Sequence, residues 1–132
     1  MSDALEIADR LFKAVEAGDM ELIRNQLYAP GFTIWHNYDG RDQTTDENLK
    51  MLGWLTRHVK NVRYEEVRRQ EIAGGFLEQH VLRGELEDGT KIEAPTCMIG
   101  YIADGKITRL EEYLDTAQVA AMLYPKRAAA RA

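Results

Sequence analysis

Few side chains in this sequence can move a proton or attack carbon. There are three histidines, His36, His58 and His80, and one cysteine, Cys97. An imidazole titrates near ~6.5 when unperturbed, so it can accept or release a proton at neutral pH. Carboxylates are plentiful, but chemistry is expected of one that the fold carries onto an apolar face, where a charge needs a partner or a purpose. Glu112 is that candidate. No Gly-rich phosphate loop, dinucleotide fingerprint or zinc-type Cys/His spacing occurs. The expectation is therefore chemistry with no cofactor and no metal. A metal held by His36, His80 and Glu112, or a Cys97 nucleophile beside His80, are the minor alternatives.

The elements that must position these residues follow from periodicity and breakers. Asp3 and Glu6 can cap a first helix, in which Leu5, Ala8, Leu11, Phe12 and Val15 recur at helical spacing. Gly18 suits the left-handed closing position and Asp19 the cap of a second helix, which is expected to reach Tyr28 before Ala29-Pro30-Gly31 stops it. A strand, Phe32–His36, precedes a polar loop from Asn37 to Gln43. Thr44 or Thr45 starts a third helix, with Glu47 or Asn48 at the capping-box offset and Leu49, Leu52 and Leu55 on its apolar stripe. Strands are then expected over Val62–Ile72, Phe76–Glu87, Lys91–Ile102 and Lys106–Leu114, and a short helix from Thr116 to about Tyr124. Helices first and an antiparallel meander after them make an α+β domain over residues 1–125, with 126–132 a basic, alanine-rich tail.

The Asp88-Gly89 and Asp104-Gly105 pairs are type I′ hairpin signals, and they allow register to be counted. Two-residue turns set His80 opposite Cys97, and Cys97 opposite Glu112, as one row across three strands. Leu82, Pro95, Ile99, Leu110 and Leu114 share that face, while Leu77, Val81, Thr96 and Met98 face outward. A bulge would move this row by one residue. The row has two readings. Either it lines a concave pocket, with Glu112 orienting His80 or acting as an acid or base, or His80 and Glu112 simply bond each other while Cys97 packs as a small hydrophobe. His36 shares its strand face with Phe32 and Ile34. It is expected to point inward, as a base or as a core histidine bonded to a backbone carbonyl. Asn37 beside it, and Met51 and Trp54 on the third helix, are candidate substrate contacts with Cys97, Leu82, Ile99 and Leu110. Trp35 is expected to pack on the other face, Asp115 to cap the last helix, and His58 to lie at the surface.

A chain of 132 residues and 15.1 kDa is one domain's worth, long enough to bury a real core. With 45% hydrophobic and 30% charged residues it reads as an ordinary soluble protein. A net charge of −5 argues against a nucleic-acid partner, and no apolar run approaches a membrane span. The acidic N-terminus has no signal-like apolar stretch, and a single cysteine suits a reducing compartment, so the expected location is the cytoplasm.

The order of elements resembles the cone-shaped fold of the nuclear-transport-factor-2-like superfamily. Ala14-Val15-Glu16-Ala17-Gly18-Asp19, Phe32-Thr33-Ile34-Trp35-His36-Asn37 and the ending Asp104 to Asp115 resemble its SnoaL-like branch. The likeness spans about residues 3–124. It implies a curved antiparallel sheet wrapped over three N-terminal helices, with a short C-terminal helix. The superfamily holds ketosteroid isomerase, scytalone dehydratase, limonene-epoxide hydrolase, polyketide cyclases and non-catalytic binding proteins, so it does not choose an activity. Carried over by position, the isomerase's base carboxylate falls on His36. Its oxyanion-hole tyrosine falls near Leu11 and its second oxyanion donor on Cys97, neither of which supports that mechanism. The resemblance also implies a homodimer through the outer sheet face.

Three functions remain. The leading expectation is a cofactor-independent acid–base enzyme, an isomerase, dehydratase, lyase or cyclase, acting on a small, mostly apolar molecule in the cone. There His36 or His80 moves the proton and Glu112 assists. The others are a binding or accessory protein using the same pocket, and a dimerisation module whose cone is filled by side chains.

Overall fold

A computed structural model describes residues 3–123 of the chain. The tail from Lys126 and the domain end at Pro125 lie outside the described residues. Helix α1, Asp3–Ala17, buries Ile7, Ala8, Leu11, Phe12, Ala14 and Val15. These positions recur every three or four residues and so form one stripe against the sheet. Gly18 adopts φ 71°, and the Asp19 side chain accepts a hydrogen bond from Leu22 N to cap α2, Met20–Leu22. The second helix is shorter than its sequence suggests. It widens into a π-helical turn, Ile23–Leu27, and Tyr28 begins strand β1, Tyr28–His36, instead of ending a helix. Tertiary contacts win here, because the Tyr28 ring stacks on Phe32 and its hydroxyl donates to buried Asn48 Oδ1 at 2.7 Å.

The polar loop after β1 contains a three-residue edge strand, β2, Asp42–Thr44, which alternation alone is too short to reveal. Thr44 and Glu47 form a reciprocal capping box for α3, Thr45–His58. Four strands follow: β3 Lys60–Ile72, β4 Gly75–Glu85, β5 Lys91–Ala103 and β6 Lys106–Leu114. Helix α4, Thr116–Leu123, starts where Asp115 Oδ1 accepts from Ala117 N.

The six strands lie in the order β2-β1-β6-β5-β4-β3. The meander β3–β6 is antiparallel, and β1 joins it by running parallel to β6. Two bulges bend β3, where Asn61 and Glu66 hold positive φ. Two close approaches demand glycine: a Cβ on Gly75 would fall 1.7 Å from the Gly100 carbonyl oxygen, and one on Gly100 2.3 Å from the ring of Phe76, the residue opposite it.

Both counted registers change by one residue. At the first hairpin Gly89 N donates to Leu86 O and Leu86 N to Thr90 O, which makes a three-residue loop with Gly89 at φ 89°. His80 therefore faces Thr96, not Cys97. The second turn is the two-residue type expected, with Ala103 opposite Lys106 and positive φ at Asp104 and Gly105. A bulge then inserts Thr108, whose hydroxyl donates to Tyr101 O, and sets Cys97 opposite Tyr113 and Met98 opposite Glu112. The row His80–Cys97–Glu112 does not exist. Two odd shifts cancel between β4 and β6, so His80 and Glu112 still share the inner face. Cys97, Pro95 and Ile99 turn outward, and Thr96 and Met98 turn into the core.

Candidate active site

The C-terminal residue of β1 and the inner face of β6 make the first polar pair. Parallel pairing sets His36 beside Glu112, with His36 Nε2 3.1 Å from Glu112 Oε1. The His36 side chain is 1% exposed and the Glu112 side chain 16%, so the carboxylate is the member a ligand can touch. Asn37 clamps this pair from the far side. Its Nδ2 donates to Leu114 O at 3.1 Å and its Oδ1 accepts from Leu114 N at 3.0 Å. Both amide groups are thus spent on holding β1 against β6, and Asn37 is a brace here rather than a contact in the cone.

Inside the cone two small cavities meet at this pair. One, of about 60 Å³, is lined by His36, Tyr38, Met51, Leu52, Leu55, Tyr64, Leu82, Glu112, Leu114 and Val119. The second, of about 40 Å³, shares His36, Met51, Leu52, Tyr64 and Glu112 and adds Tyr28, Asn48 and Leu110. Met51, Leu82 and Leu110 thus line one or both of these cavities. Tyr64, from β3, is the feature that sequence reading misses. The ambiguous Gly74-Gly75 turn and the β3 bulges hide which side of the sheet it takes. Burial first, and then the negative Glu112 nearby, hold the Tyr64 phenol well above the ordinary tyrosine range, and the same causes act on Tyr28. Both remain neutral hydrogen-bond donors wherever the protein is folded near neutrality.

A second polar cluster stands further along the same face. Glu78, fully buried, is held by Arg69 Nε on one oxygen and by His80 Nδ1 at 2.5 Å on the other. Arg69 also reaches Asp9 on α1 at 3.4 Å. The His80 ring packs edgewise on Phe12 at 5.0 Å and against Tyr64 at 4.6 Å. His80 is therefore oriented by Glu78, not by Glu112, and it lines neither cone cavity. Alternation alone places Glu78, two residues before His80, on the same face, so this partner was legible in the sequence although the reading did not single it out.

The remaining candidates lie elsewhere. Trp54 stacks with His58 at 4.7 Å and lines a surface depression with Leu86, Glu87 and Asp88. Cys97 lies on the outer face in an open groove of about 690 Å³ with Val67, Val81, Pro95 and Tyr113. Ile99 is also on the outer face, opposite Leu77. Among the described residues no three His, Cys, Asp or Glu side chains converge with metal-binding spacing, because His36 and His80 engage different carboxylates. Nor is any described helix long and apolar enough to cross a membrane.

No protein-family model matches the chain, and no curated protein matches it. Solved structures do. The chain is similar to PrhC from Penicillium brasilianum, with a TM-score of 0.79 at 14% identity over 98% of this chain and 89% of that one. IdmH from Streptomyces antibioticus, a proposed polyketide cyclase, matches with a TM-score of 0.76 at 17% identity, covering 91% and 97%. A protein of ketosteroid isomerase-like fold from Catenulispora acidiphila, solved in complex with trimethylamine, matches with a TM-score of 0.75 at 16% identity, covering 89% and 91%. The fold is the cone shared by ketosteroid isomerase-like, NTF2-like and SnoaL-like proteins.

Proposed function

We propose that the protein is a cofactor-independent acid–base enzyme acting on a small organic molecule held in the cone, and that Glu112 is the group that moves the proton. The observation that carries this reading is the His36–Glu112 pair at the junction of the two interior cavities. A carboxylate oriented by an imidazole and facing a mostly apolar cavity suits proton abstraction from carbon or hydroxyl. His36 acts as the positioning residue, since its ring is enclosed and its Nε2 is committed to Glu112. Tyr64 lines the same cavities and supplies a neutral O–H donor for an oxygen that gains negative charge. The solved relative holding trimethylamine supports a small-molecule role for the fold. Among the reactions in this class, isomerisation, dehydration, lyase cleavage and cyclisation all begin with such a step.

The test needs no known substrate. Small ketones, esters and hydroxy compounds are incubated with the protein in D₂O, and hydrogen–deuterium exchange at acidified carbon is followed by ¹H NMR. Exchange catalysed by the wild type should fall about 10²- to 10⁴-fold in Glu112→Gln, the usual range for loss of a general base. Compounds that bind without any exchange would favour the second reading, a binding or accessory protein using the same cavity.

A further inference from the structure

Two carboxylates stand on the inner face of the sheet, and their electrostatic surroundings differ. Register links them: Glu78 lies opposite Met98, and Met98 opposite Glu112. Glu78 is compensated within the fold, because Arg69 and His80 each hold one of its oxygens. Among the described residues Glu112 has only His36. The imidazole meets the carboxylate through Nε2, and its Nδ1 is enclosed with no hydrogen-bond partner among the described residues. Glu112 thus lacks the guanidinium that Arg69 gives Glu78. Among the described residues no lysine or arginine lines either cone cavity. The other walls are the rings of Tyr38 and Tyr64 and the aliphatic side chains of Met51, Leu52, Leu55, Leu82, Leu114 and Val119.

A carboxylate with no lysine or arginine beside it, in a cavity walled by tyrosine and aliphatic groups, suits a cation. We propose that the cone takes a small organic cation, an alkylammonium, with its N–H toward Glu112 and its methyl groups against Tyr38, Tyr64 and the aliphatic wall. A cavity of about 60 Å³ has room for about four water-sized groups, which sets the scale of the molecule. The inference rests on reading the cone as a ligand site and deepens it by naming the ligand class, an amine. Carboxylic acids are excluded by the charge of Glu112. Neutral molecules of the same shape gain the apolar wall and nothing from the carboxylate.

Three probes of one shape and different charge test this: trimethylammonium, tert-butanol and pivalate, titrated at pH 7 and constant ionic strength into ¹⁵N-labelled protein. Trimethylammonium should shift amides around His36, Tyr38, Met51 and Tyr64, with a Kd at least tenfold below that of tert-butanol, while pivalate leaves them unmoved. In Glu112→Gln the preference for the cation should shrink to within twofold, with tert-butanol binding unchanged. The comparison among probes stands on the wild type alone if that variant folds poorly. Equal or tighter binding of tert-butanol, or preference for pivalate, would overturn the cation while leaving the cone as a ligand site. Shifts confined to the outer groove, or none with any probe, would remove both.

Discussion

At the scale of single residues, the chemistry comes down to which imidazole finds which carboxylate. His36 and Glu112 were both visible in the sequence as inward-facing candidates, yet their pairing was not. It depends on a parallel contact between β1 and β6, and hairpin counting speaks only for antiparallel neighbours. Tyr64 offers the sharpest test at this scale. Burial and the Glu112 charge raise its phenol above the unfolded value near ~10, so the unfolded chain loses that proton first as pH rises. The stability it contributes is complete below pH ~10 and is lost as pH climbs above that value. Between the unfolded and folded values each such tyrosine costs about 1.4 kcal/mol per pH unit, and Tyr28 behaves alike. Urea unfolding between pH 9 and 11 should therefore show a shallower decline in Tyr64→Phe than in the wild type, by about that slope. Identical slopes would mean the phenol is not held neutral by its surroundings.

Elements were more legible than their joints. Capping signals at Asp19, Thr44 and Asp115, and the Asp104-Gly105 turn, are present as the sequence indicates, because each is a local bargain between neighbouring residues. What local reading missed are features decided across the sheet: the π turn before Tyr28, the edge strand β2, the three-residue loop at Gly89 and the bulge at Thr108. A single inserted residue turned Cys97 and Ile99 outward, since the side-chain period of a strand is two. Gly100, which lies opposite Phe76 across β4 and β5, is a further constraint of this kind. Gly100→Ala forces a methyl into the Phe76 ring, and overpacking of that sort should cost about 1–3 kcal/mol. Thermal or urea unfolding would measure it, and a loss under about 0.5 kcal/mol would show that Phe76 can move aside.

For the molecule as a whole, two surfaces compete for attention. The cone interior is small and carries the polar pair, while the outer face holds the larger groove, with Val67 and Tyr113 exposed beside it. Val81, Pro95 and Cys97 from β4 and β5 continue that apolar strip. We propose that a second copy covers it, and sedimentation equilibrium should then give a mass near twice 15.1 kDa, shifted toward monomer by Val67→Glu with Tyr113→Glu. A wild-type monomer at micromolar concentration would dismiss the proposal.

Joining β1 to β6 has a kinetic consequence. Thr33 and Arg109, which meet along this seam, are 76 positions apart, and His36 meets Glu112 in the same register. Bringing such distant segments together costs loop-closure entropy that the local hairpins β3–β6 do not incur. The meander can thus assemble on its own schedule, but the polar pair exists only after the first strand has docked on the last. A chain folded in every hairpin and lacking that one seam would hold both side chains and none of their chemistry.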